Sequence, residues 1–425
     1  MKNDLFNHFE NRRQFIKLAG LGVGAAVVGL QQMGCSIEKK YVAPNIVGFN
    51  DTGNEEAVKE WVPVSDRRIR VGLVGYGYSK FSAAFGFQNH PNVEVVAVSD
   101  LFPDRCAKLA QVTGCKKTYP SLEELVKDDS IEAVFVATDA PSHMRHCIEV
   151  LNHGKHVATA VPAVFGNVEE AEKLLEVVKR SGLKYMMFET SSFRADNYAM
   201  RQIYNAGGFG KLVYSEGEYY HGPTNPVVTK TPVTSLENKT PAVSTSYKGW
   251  RTGIPPQFYP THSNAYHICI TGGSFTEVSC MGMPSTRDSN QPGKNPYDNP
   301  FATEIALCRT SEGGMARMCV SWDTVGFGRE TGRVRGLRGS FEGEYKGYEE
   351  NLPDIRRPGL PSGMPAGGHG GSHGRLTDEF ITAILEDRKP LVDIIMALNL
   401  SVPGIIAHQS AMKDGELMKI PQFKF

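Results

Sequence analysis

The sequence of 425 residues has no excess of charge of either sign, because Lys plus Arg and Asp plus Glu both number 46. A balanced chain offers no electrostatic footprint for nucleic acid or for an anionic membrane surface, so we expect neither as a partner. The eight cysteines form no CxxC pair and no Cys/His metal spacing, so we expect no metal site and no disulfide framework. The length predicts two or three globular domains.

A long transmembrane run is missing at the N-terminus. The apolar stretch from Leu18 to Leu30 is too short to span a bilayer comfortably, and it follows the basic segment Asn11 to Lys17, which contains Arg12 and Arg13. This order resembles a twin-arginine export signal over residues 1–35. We therefore expect a periplasmic protein, and Cys35 is a candidate for a lipid anchor. Residues 36–66 lack periodicity and are predicted to form a linker.

A nucleotide-binding turn follows this linker. Arg68 to Val74 is an apolar β-branched run that breaks at a glycine turn, and a helix-like segment continues towards His90. A second apolar strand ends at Asp100, at the distance expected of an acidic residue that accepts the ribose hydroxyls of a dinucleotide. Lys80 replaces the usual third glycine of this motif, and the amides near Tyr76 to Ser79 are expected to hold the pyrophosphate. Asp100 favours NAD, and nearby Arg105 leaves NADP open.

Two further strands extend the same pattern. Residues 131–137 form a buried strand that ends in the loop Thr138 to His143, and the strand ending at Thr159 is followed by Ala160-Val161-Pro162. Ligands bind beyond the carboxyl ends of such strands. The alternation of strands and helices predicts an α/β fold with a doubly wound parallel sheet and right-handed crossovers.

Several of these residues, taken in order, resemble the Gfo/Idh/MocA oxidoreductases. They are Val136-Ala137-Thr138, His143, Gly154-Lys155-His156-Val157 and Pro162, followed near the C-terminus by Pro390, Asp393, Ala397, Ser410 and Gly415. The resemblance covers residues 68–425. It implies an NAD-binding Rossmann domain at residues 67–188 and a C-terminal α+β domain at residues 189–425. The second domain is expected to contain an open, mostly antiparallel sheet, to bind the substrate and to pair subunits in a homo-oligomer.

The family's dehydrogenases carry a lysine where this chain has Val161. Within the same superfamily, the chain is most similar to glycoside hydrolase family 109, the NAD-dependent α-N-acetylgalactosaminidase group, which also has valine there. The similarity rests on Trp250-Arg251, Tyr259-Pro260-Thr261-His262, Glu189 with Phe193 and Arg194, Tyr219 with His221, and Gly368-His369-Gly370-Gly371. The sequence departs from that group at Ala160, Thr190 and Phe193, where the group usually has glutamate, asparagine and tyrosine.

This resemblance implies roles for individual residues. His262 is the candidate base, Tyr259 a candidate donor to a sugar oxygen, and Arg251 a cation that orients the substrate. Further candidate substrate-binding residues are Trp250, Thr261, Phe193, Arg194, His221, Tyr266, His267 and His369. Candidate cofactor-binding residues are Gly75, Tyr76, Gly77, Tyr78, Ser79, Asp100, Thr138, Ala140, Pro141, Ser142, His143, Ala160, Val161 and Thr190.

The predicted function is the oxidation of a sugar or glycoside hydroxyl, at carbon 3, by tightly bound NAD(P). Two outcomes stay open: redox-neutral glycoside cleavage, or release of a keto-sugar by an exported sugar–sugar oxidoreductase. A non-catalytic sugar-binding lipoprotein is the third hypothesis. The Pro- and Thr-rich stretch from His221 to Lys248 is interpreted as a flap over the substrate.

Overall fold

A six-stranded parallel sheet dominates the first half of the structure, a computed structural model that describes residues 60–77, 79–221, 250–291, 293–324 and 328–425. Its strands are β1 (Ile69–Val74), β2 (Val93–Ser99), β3 (Thr118–Tyr119), β4 (Ala133–Val136), β5 (His156–Thr159) and β6 (Tyr185–Met187). They lie in the order β3-β2-β1-β4-β5-β6, and every neighbouring pair is parallel. The predicted doubly wound sheet is confirmed.

Helices cover both faces of this sheet. They are α1 (Phe81–Ala84), α2 (Pro103–Thr113), α3 (Leu122–Leu125), α4 (His143–Asn152) and α5 (Glu169–Ser181). Alternate residues of β1 point to opposite cores, so that Leu73 packs in the core with α2 and Val74 packs in the core with α4 and α5. The helix after the glycine turn is a single turn, not a helix that continues towards His90. Gly86, with φ of 77°, interrupts it, and a 3₁₀ turn at Phe87–Asn89 follows.

A second sheet of eight strands occupies the C-terminal half. Its strands are β7 (Leu212–Tyr220), β8 (Phe275–Pro284), β9 (Phe301–Thr310), β10 (Met315–Ser321), β11 (Arg329–Gly336), β12 (Gly339–Glu342), β13 (Glu344–Gly347) and β14 (Met418–Lys419). The order is β13-β12-β11-β7-β10-β9-β8-β14, and every pairing is antiparallel except that of β7 with β10. The predicted mostly antiparallel sheet is confirmed.

The remaining helices are α6 (Ala195–Asn205), α7 (Thr261–Thr271), α8 (His373–Leu385) and α9 (Ile394–Ala411), with a separate turn at Gly368–Gly371. Helix α7 contacts strands β7, β10 and β11, and α9 contacts β8. Helix α9 is long and apolar enough to cross a membrane, but most of it is buried inside the protein, as in the core helix of a globular fold. Both sheets belong to one compact unit, and a domain boundary near residue 188 stays a prediction.

Candidate active site

A cavity of about 360 Å³ lies at the carboxyl ends of β1, β2 and β4. We call it the cofactor cavity, and its walls include Gly75, Tyr76, Gly77, Ser79, Asp100, Thr138 and Ser142. Gly75 has φ of 87°, and a Cβ atom there would lie 2.4 Å from the carbonyl oxygen of Ala137, so only glycine fits this turn. Lys80, at the position of the missing third glycine, adopts the left-handed conformation with φ of 56°.

Asp100 closes one end of the cofactor cavity and is almost fully buried. One carboxylate oxygen accepts hydrogen bonds from the backbone N–H groups of Tyr76 and Gly77, at 2.8 and 3.3 Å, and the other accepts from the N–H of Phe102 at 2.9 Å. These bonds fix the carboxylate beside the glycine turn. Arg105 also lines this cavity.

Not all predicted cofactor residues lie on these walls. Ala140, Pro141 and His143 stand behind them, and Tyr78 lies outside the described residues. The His143 ring is buried, with its Nδ1 2.9 Å from the carbonyl oxygen of Pro162 and its Nε2 3.2 Å from that of Thr138. His143 therefore ties two loops together and does not face the cavity. The sequence did not single out His146, which lines the cavity and has its Nδ1 2.8 Å from Thr138 Oγ1.

A second cavity, of about 550 Å³, opens from the first and contains most of the candidate catalytic groups. We call it the reaction cavity, and its walls include Ser79, Phe81, Ala160, Val161, Thr190, Arg194, Tyr219, His221, Arg251, Tyr259, His262, Glu330 and His369. Ser79, Phe81 and Arg251 line both cavities. Residues that follow strands of the parallel sheet therefore face residues of β7, α7 and β11 across one space.

His262, in the first turn of α7, is held between two carboxylates. Its Nδ1 lies 2.8 Å from Glu189 Oε1 and 3.9 Å from Glu330 Oε1, and all three side chains are buried. The same oxygen of Glu189 accepts a hydrogen bond of 2.8 Å from the N–H of Ser191. Because Nδ1 is engaged with Glu189, the ring presents its Nε2 as the nitrogen available for proton transfer.

The charges around His262 favour its protonated form. Burial alone would lower the pKa of His262, but the carboxylates of Glu189 and Glu330 outweigh it and raise that pKa above the ordinary value. Burial would raise the pKa of Glu330, yet His262 and Arg194 lower it to about 2. Arg194 Nη2 donates a hydrogen bond of 2.8 Å to Glu330 Oε2, and Nε of the same guanidinium lies 2.8 Å from Oε1 as part of the ion pair. Glu189, His262 and Glu330 also have the spacing of metal ligands, but the Glu330 carboxylate is already paired with the Arg194 guanidinium.

Aromatic rings surround this histidine. The ring centroid of Tyr219 lies 4.6 Å from that of His262, and the ring centroid of Tyr259 lies 5.6 Å from it. Trp250 stacks on Tyr259 at 6.1 Å, and the guanidinium of Arg251 lies 4.5 Å above the Trp250 ring. Burial raises the pKa of Tyr259 to about 12, so that its hydroxyl stays protonated and can donate a hydrogen bond.

A buried carboxylate positions the loop that carries Tyr259. Glu304 Oε2 accepts a hydrogen bond of 2.7 Å from the N–H of Gln257, and its Oε1 lies 2.7 Å from Nδ1 of His408 in α9. A Cβ atom on Gly404 of the same helix would lie 2.0 Å from the carbonyl oxygen of Gln257. The loop before α7 is therefore packed directly against the core helix.

His369 faces His262 from the Gly368–Gly371 turn. The two rings are nearly parallel with centroids 6.2 Å apart, and His369 Nδ1 lies 2.8 Å from His373 Nε2. Burial, then the nearby charge of His262, lowers the pKa of His369 to about 4. His369 is therefore neutral where His262 titrates.

Five of the predicted substrate-binding residues lie outside the reaction cavity. His267 is buried with Nδ1 2.8 Å from Ser215 Oγ and Nε2 3.2 Å from Glu312 Oε2, so both ring nitrogens have partners away from the reaction cavity. Tyr266, Phe193 and Thr261 are buried in the protein core. Trp250 lies on the walls of two neighbouring cavities. Among the residues of the reaction cavity, sequence reasoning missed Glu330, which stands in a strand without any motif.

Comparison with known proteins agrees with this geometry. Residues 69–189 match the GFO_IDH_MocA family, described as an oxidoreductase family with an NAD-binding Rossmann fold. A glycosyl hydrolase family 109 protein of Shewanella pealeana is 25% identical over 294 residues, which make up 65% of this chain and 59% of that protein. The chain thus spans about three fifths of the length of the curated relatives it matches.

Two solved structures share the whole fold. Levoglucosan dehydrogenase, in complex with NADH and levoglucosan, has a TM-score of 0.66 and 17% identity, covering 84% of this chain and 100% of that one. Scyllo-inositol dehydrogenase from Lactobacillus casei, with bound NAD(H) and scyllo-inositol, has a TM-score of 0.64 and 15% identity, covering 83% and 99%.

The structure combines a Rossmann-like parallel sheet with a second, mixed sheet, and the part that contains the parallel sheet matches an oxidoreductase family with an NAD-binding Rossmann fold. The predicted resemblance to the Gfo/Idh/MocA family and to glycoside hydrolase family 109 is confirmed, the family match covering residues 69–189.

Proposed function

We propose that this protein uses tightly bound NAD to oxidise carbon 3 of a glycoside in the reaction cavity, as part of a redox-neutral cleavage of the glycosidic bond. One observation carries the proposal. A histidine that contacts two buried carboxylates lines a cavity that shares Ser79, Phe81 and Arg251 with the cofactor cavity. The glycosyl hydrolase family 109 relatives support the same reaction class.

The residues present fit a dinucleotide. Gly75 leaves room where any side chain would strike the Ala137 carbonyl, and Asp100 is fixed at the end of β2. Glycine-turn amides would hold the pyrophosphate, Asp100 the ribose, and Ala160, Val161 and Thr190 would border the nicotinamide. When bound, NAD supplies a reversible hydride acceptor, so that an oxidised sugar can be reduced again without an external cofactor pool.

The chain's own residues supply the proton transfers. A carbonyl group at carbon 3 acidifies the proton on carbon 2, so a single base of near-neutral pKa can remove it. His262 Nε2 is this base, and Glu189 on the opposite nitrogen stabilises the imidazolium that forms. Tyr259 stays protonated and donates a hydrogen bond to a sugar oxygen, and Arg251 orients the substrate.

A second candidate function follows from Ala160. This residue lines the reaction cavity but supplies no carboxylate, whereas glycoside hydrolase family 109 usually has glutamate at that position. Without that acid, oxidation could end with release of a keto-sugar, and a second sugar would restore the cofactor. This alternative is an exported sugar–sugar oxidoreductase.

One experiment separates the candidates. The protein is purified without added cofactor, its bound nucleotide is extracted and identified, and the holoenzyme is incubated with aryl glycosides in deuterated water. Aglycone release with deuterium at carbon 2 supports the glycosidase. Formation of a keto-sugar without aglycone release would refute the glycosidase in favour of the oxidoreductase. If no nucleotide is bound and no sugar is converted, only the sugar-binding protein remains.

We also propose that the protein is exported, because the N-terminal sequence resembles a twin-arginine signal; that segment and Cys35 lie outside the described residues. Replacing Arg12 and Arg13 together by lysine should keep the protein in the cytoplasm. Cell fractionation measures this, and an unchanged periplasmic fraction would refute export by this route.

A further inference from the structure

A third cavity, of about 420 Å³, adjoins the reaction cavity on the side away from the parallel sheet. We call it the outer cavity, and it shares Tyr219, His221, Arg251 and Tyr259 with the reaction cavity. Its volume lies within the range of about 300–1,000 Å³ that is usual for small-molecule sites. A ligand in the reaction cavity can therefore extend past Tyr259 into this space.

Among the residues that the structure describes, those on the walls of the outer cavity all belong to the C-terminal half of the chain. The walls are formed by the end of β7, the segment Trp250 to Tyr259, the turn around Ser289 and the residue after β10, Trp322. The strand ends and glycine turn that would hold a dinucleotide take no part in them. The outer cavity is thus separate from the cofactor cavity, apart from the shared Trp250 and Arg251.

Two of the chain's three tryptophans lie on these walls. The indole N–H of Trp322 donates to the carbonyl oxygen of Ile254 at 3.2 Å, so the ring can offer a ligand its apolar surface but not its N–H. Ser289 and Asn290 line the same cavity, held in place because Ser289 Oγ donates to Asn290 Oδ1 at 3.2 Å and Asn290 Nδ2 donates to the Phe301 carbonyl oxygen at 3.0 Å. Aromatic surfaces combined with a few fixed polar groups suit the apolar C–H faces and the hydroxyl groups of a sugar ring.

The wall is built before any ligand arrives. A Cβ atom on Gly253, where φ is 64°, would lie 2.3 Å from Cβ of Asn295, so the two loops of the wall pack closely. The Asn299 amide also donates to the Gly253 carbonyl oxygen at 3.0 Å. Such contacts reduce the ordering cost of binding.

The charge of the outer cavity favours a neutral ligand. The Arg287 guanidinium pairs with Asp323 and bonds to the carbonyl oxygen of Trp322, so its positive charge is already compensated. Arg251 stands at the junction with the reaction cavity rather than deep in the outer one, since it lines all three cavities. A phosphorylated or nucleotide-linked leaving group would find no second uncompensated cation among the arginines of this wall.

We propose that the outer cavity is a subsite for a neutral sugar on the leaving-group side of the substrate, with Trp322 as its main aromatic contact. The enzyme then acts on the end of an oligosaccharide rather than on a simple glycoside. This inference rests on the proposed function, which places the reacting sugar in the reaction cavity.

The test compares matched substrates on the holoenzyme as purified. One pair is methyl α-N-acetylgalactosaminide and the disaccharide with the same sugar α-linked to galactose, and the other is methyl α-glucoside and maltose. Turnover gives kcat/KM, and tryptophan fluorescence gives Kd in a Trp61→Phe background, where Trp250 and Trp322 are the remaining reporters. Trp61 lies outside the outer cavity, against His90 and Asp378, so this change also serves as a control.

We expect at least one disaccharide to exceed its methyl glycoside about tenfold in affinity and kcat/KM. Trp322→Leu should abolish most of this ratio, and Trp322→Phe should retain it. Three results would overturn the subsite. They are equal Kd and kcat/KM for the disaccharide and the methyl glycoside in both pairs, a disaccharide preference that survives Trp322→Leu, and a lower Kd for UDP-N-acetylgalactosamine than for either disaccharide. Turnover of a methyl glycoside without a disaccharide preference refutes only the subsite, whereas a preference in binding without any sugar conversion refutes the proposed function.

Discussion

Replacing Glu189 by glutamine tests whether this carboxylate sets the protonation of His262. The substitution keeps the size of the side chain and removes its charge 2.8 Å from His262 Nδ1. His262 acts as a base only when it is deprotonated, and its pKa is raised by Glu189 and Glu330. Activity should therefore fall below a midpoint that lies above the ordinary value for histidine, about 6.5. Glu189→Gln should move this midpoint to lower pH, because the protonated form loses its partner.

The size of the shift follows from the geometry. At 2.8 Å and an effective dielectric constant of about 20, the attraction between the two charges is at most about 6 kcal/mol. Glu330 stays at 3.9 Å and keeps part of the effect, although Arg194 already engages it. We therefore expect the midpoint to fall by about 1–3 pH units, the range usual for loss of one close opposite charge.

The rate should fall as well. The amide group of glutamine can donate to Nδ1, which would leave the proton on Nε2 and block its role as base. We expect kcat at the optimum to fall about 100-fold.

The assay is kcat/KM of the holoenzyme between pH 4 and 10, on the substrate identified by aglycone or keto-sugar release. Glu312→Gln is the matched control. Glu312 Oε2 lies 3.2 Å from His267 Nε2, and this pair stands outside the reaction cavity. This control variant should have the same midpoint in its pH dependence of kcat/KM as the wild-type protein. An unchanged midpoint in Glu189→Gln, or a move to higher pH, would refute the assignment of His262 as the titrating base.

Four further predictions concern single residues. Gly75→Ala should cost at least about 1–2 kcal/mol and reduce copurified nucleotide, because its Cβ would strike the Ala137 carbonyl; thermal melting and nucleotide extraction measure both. Asp100→Ser should weaken NAD binding without changing the folded state. Calorimetric titration of the protein freed of its nucleotide measures the binding, and far-UV circular dichroism checks the fold. Tyr259→Phe should lower kcat about 100-fold and leave KM within about threefold, since a donor is lost. His369→Gln should leave the pH dependence of kcat/KM above pH 5 unchanged, because the pKa of His369 is already about 4.

The parallel sheet was predictable because its signals are local. Each strand, turn and helix from Arg68 to Pro162 follows the next in sequence, and Gly75 and Asp100 mark the strand ends that form the cofactor cavity. The length of α1 was not predictable in the same way. It depends on the left-handed conformation of Gly86, and a lone glycine inside a helical pattern does not show whether it ends the helix.

The site was only partly predictable because its contacts join distant segments. His262 and His267 lie on different faces of α7, but only the packing against β7 decides which face meets the reaction cavity. His143 stands at a strand end like a cofactor ligand, yet the carbonyl oxygens of Pro162 and Thr138 hold its ring in the interior. Glu330 reaches His262 through a sheet register that no short motif encodes.

Val161 explains why these distant contacts matter for function. The resemblance to the Gfo/Idh/MocA dehydrogenases implies an acid/base lysine at this position, whereas here the wall after β5 presents Ala160 and Val161, which do not titrate. In the proposed reaction the proton-transfer group comes from the opposite wall, where His262 stands in α7. Its two carboxylates come from separate elements, the residue Glu189 just after β6 and Glu330 in β11. Groups from both sheets together raise the pKa of His262, so the proposed base depends on the contact between the sheets rather than on either one alone.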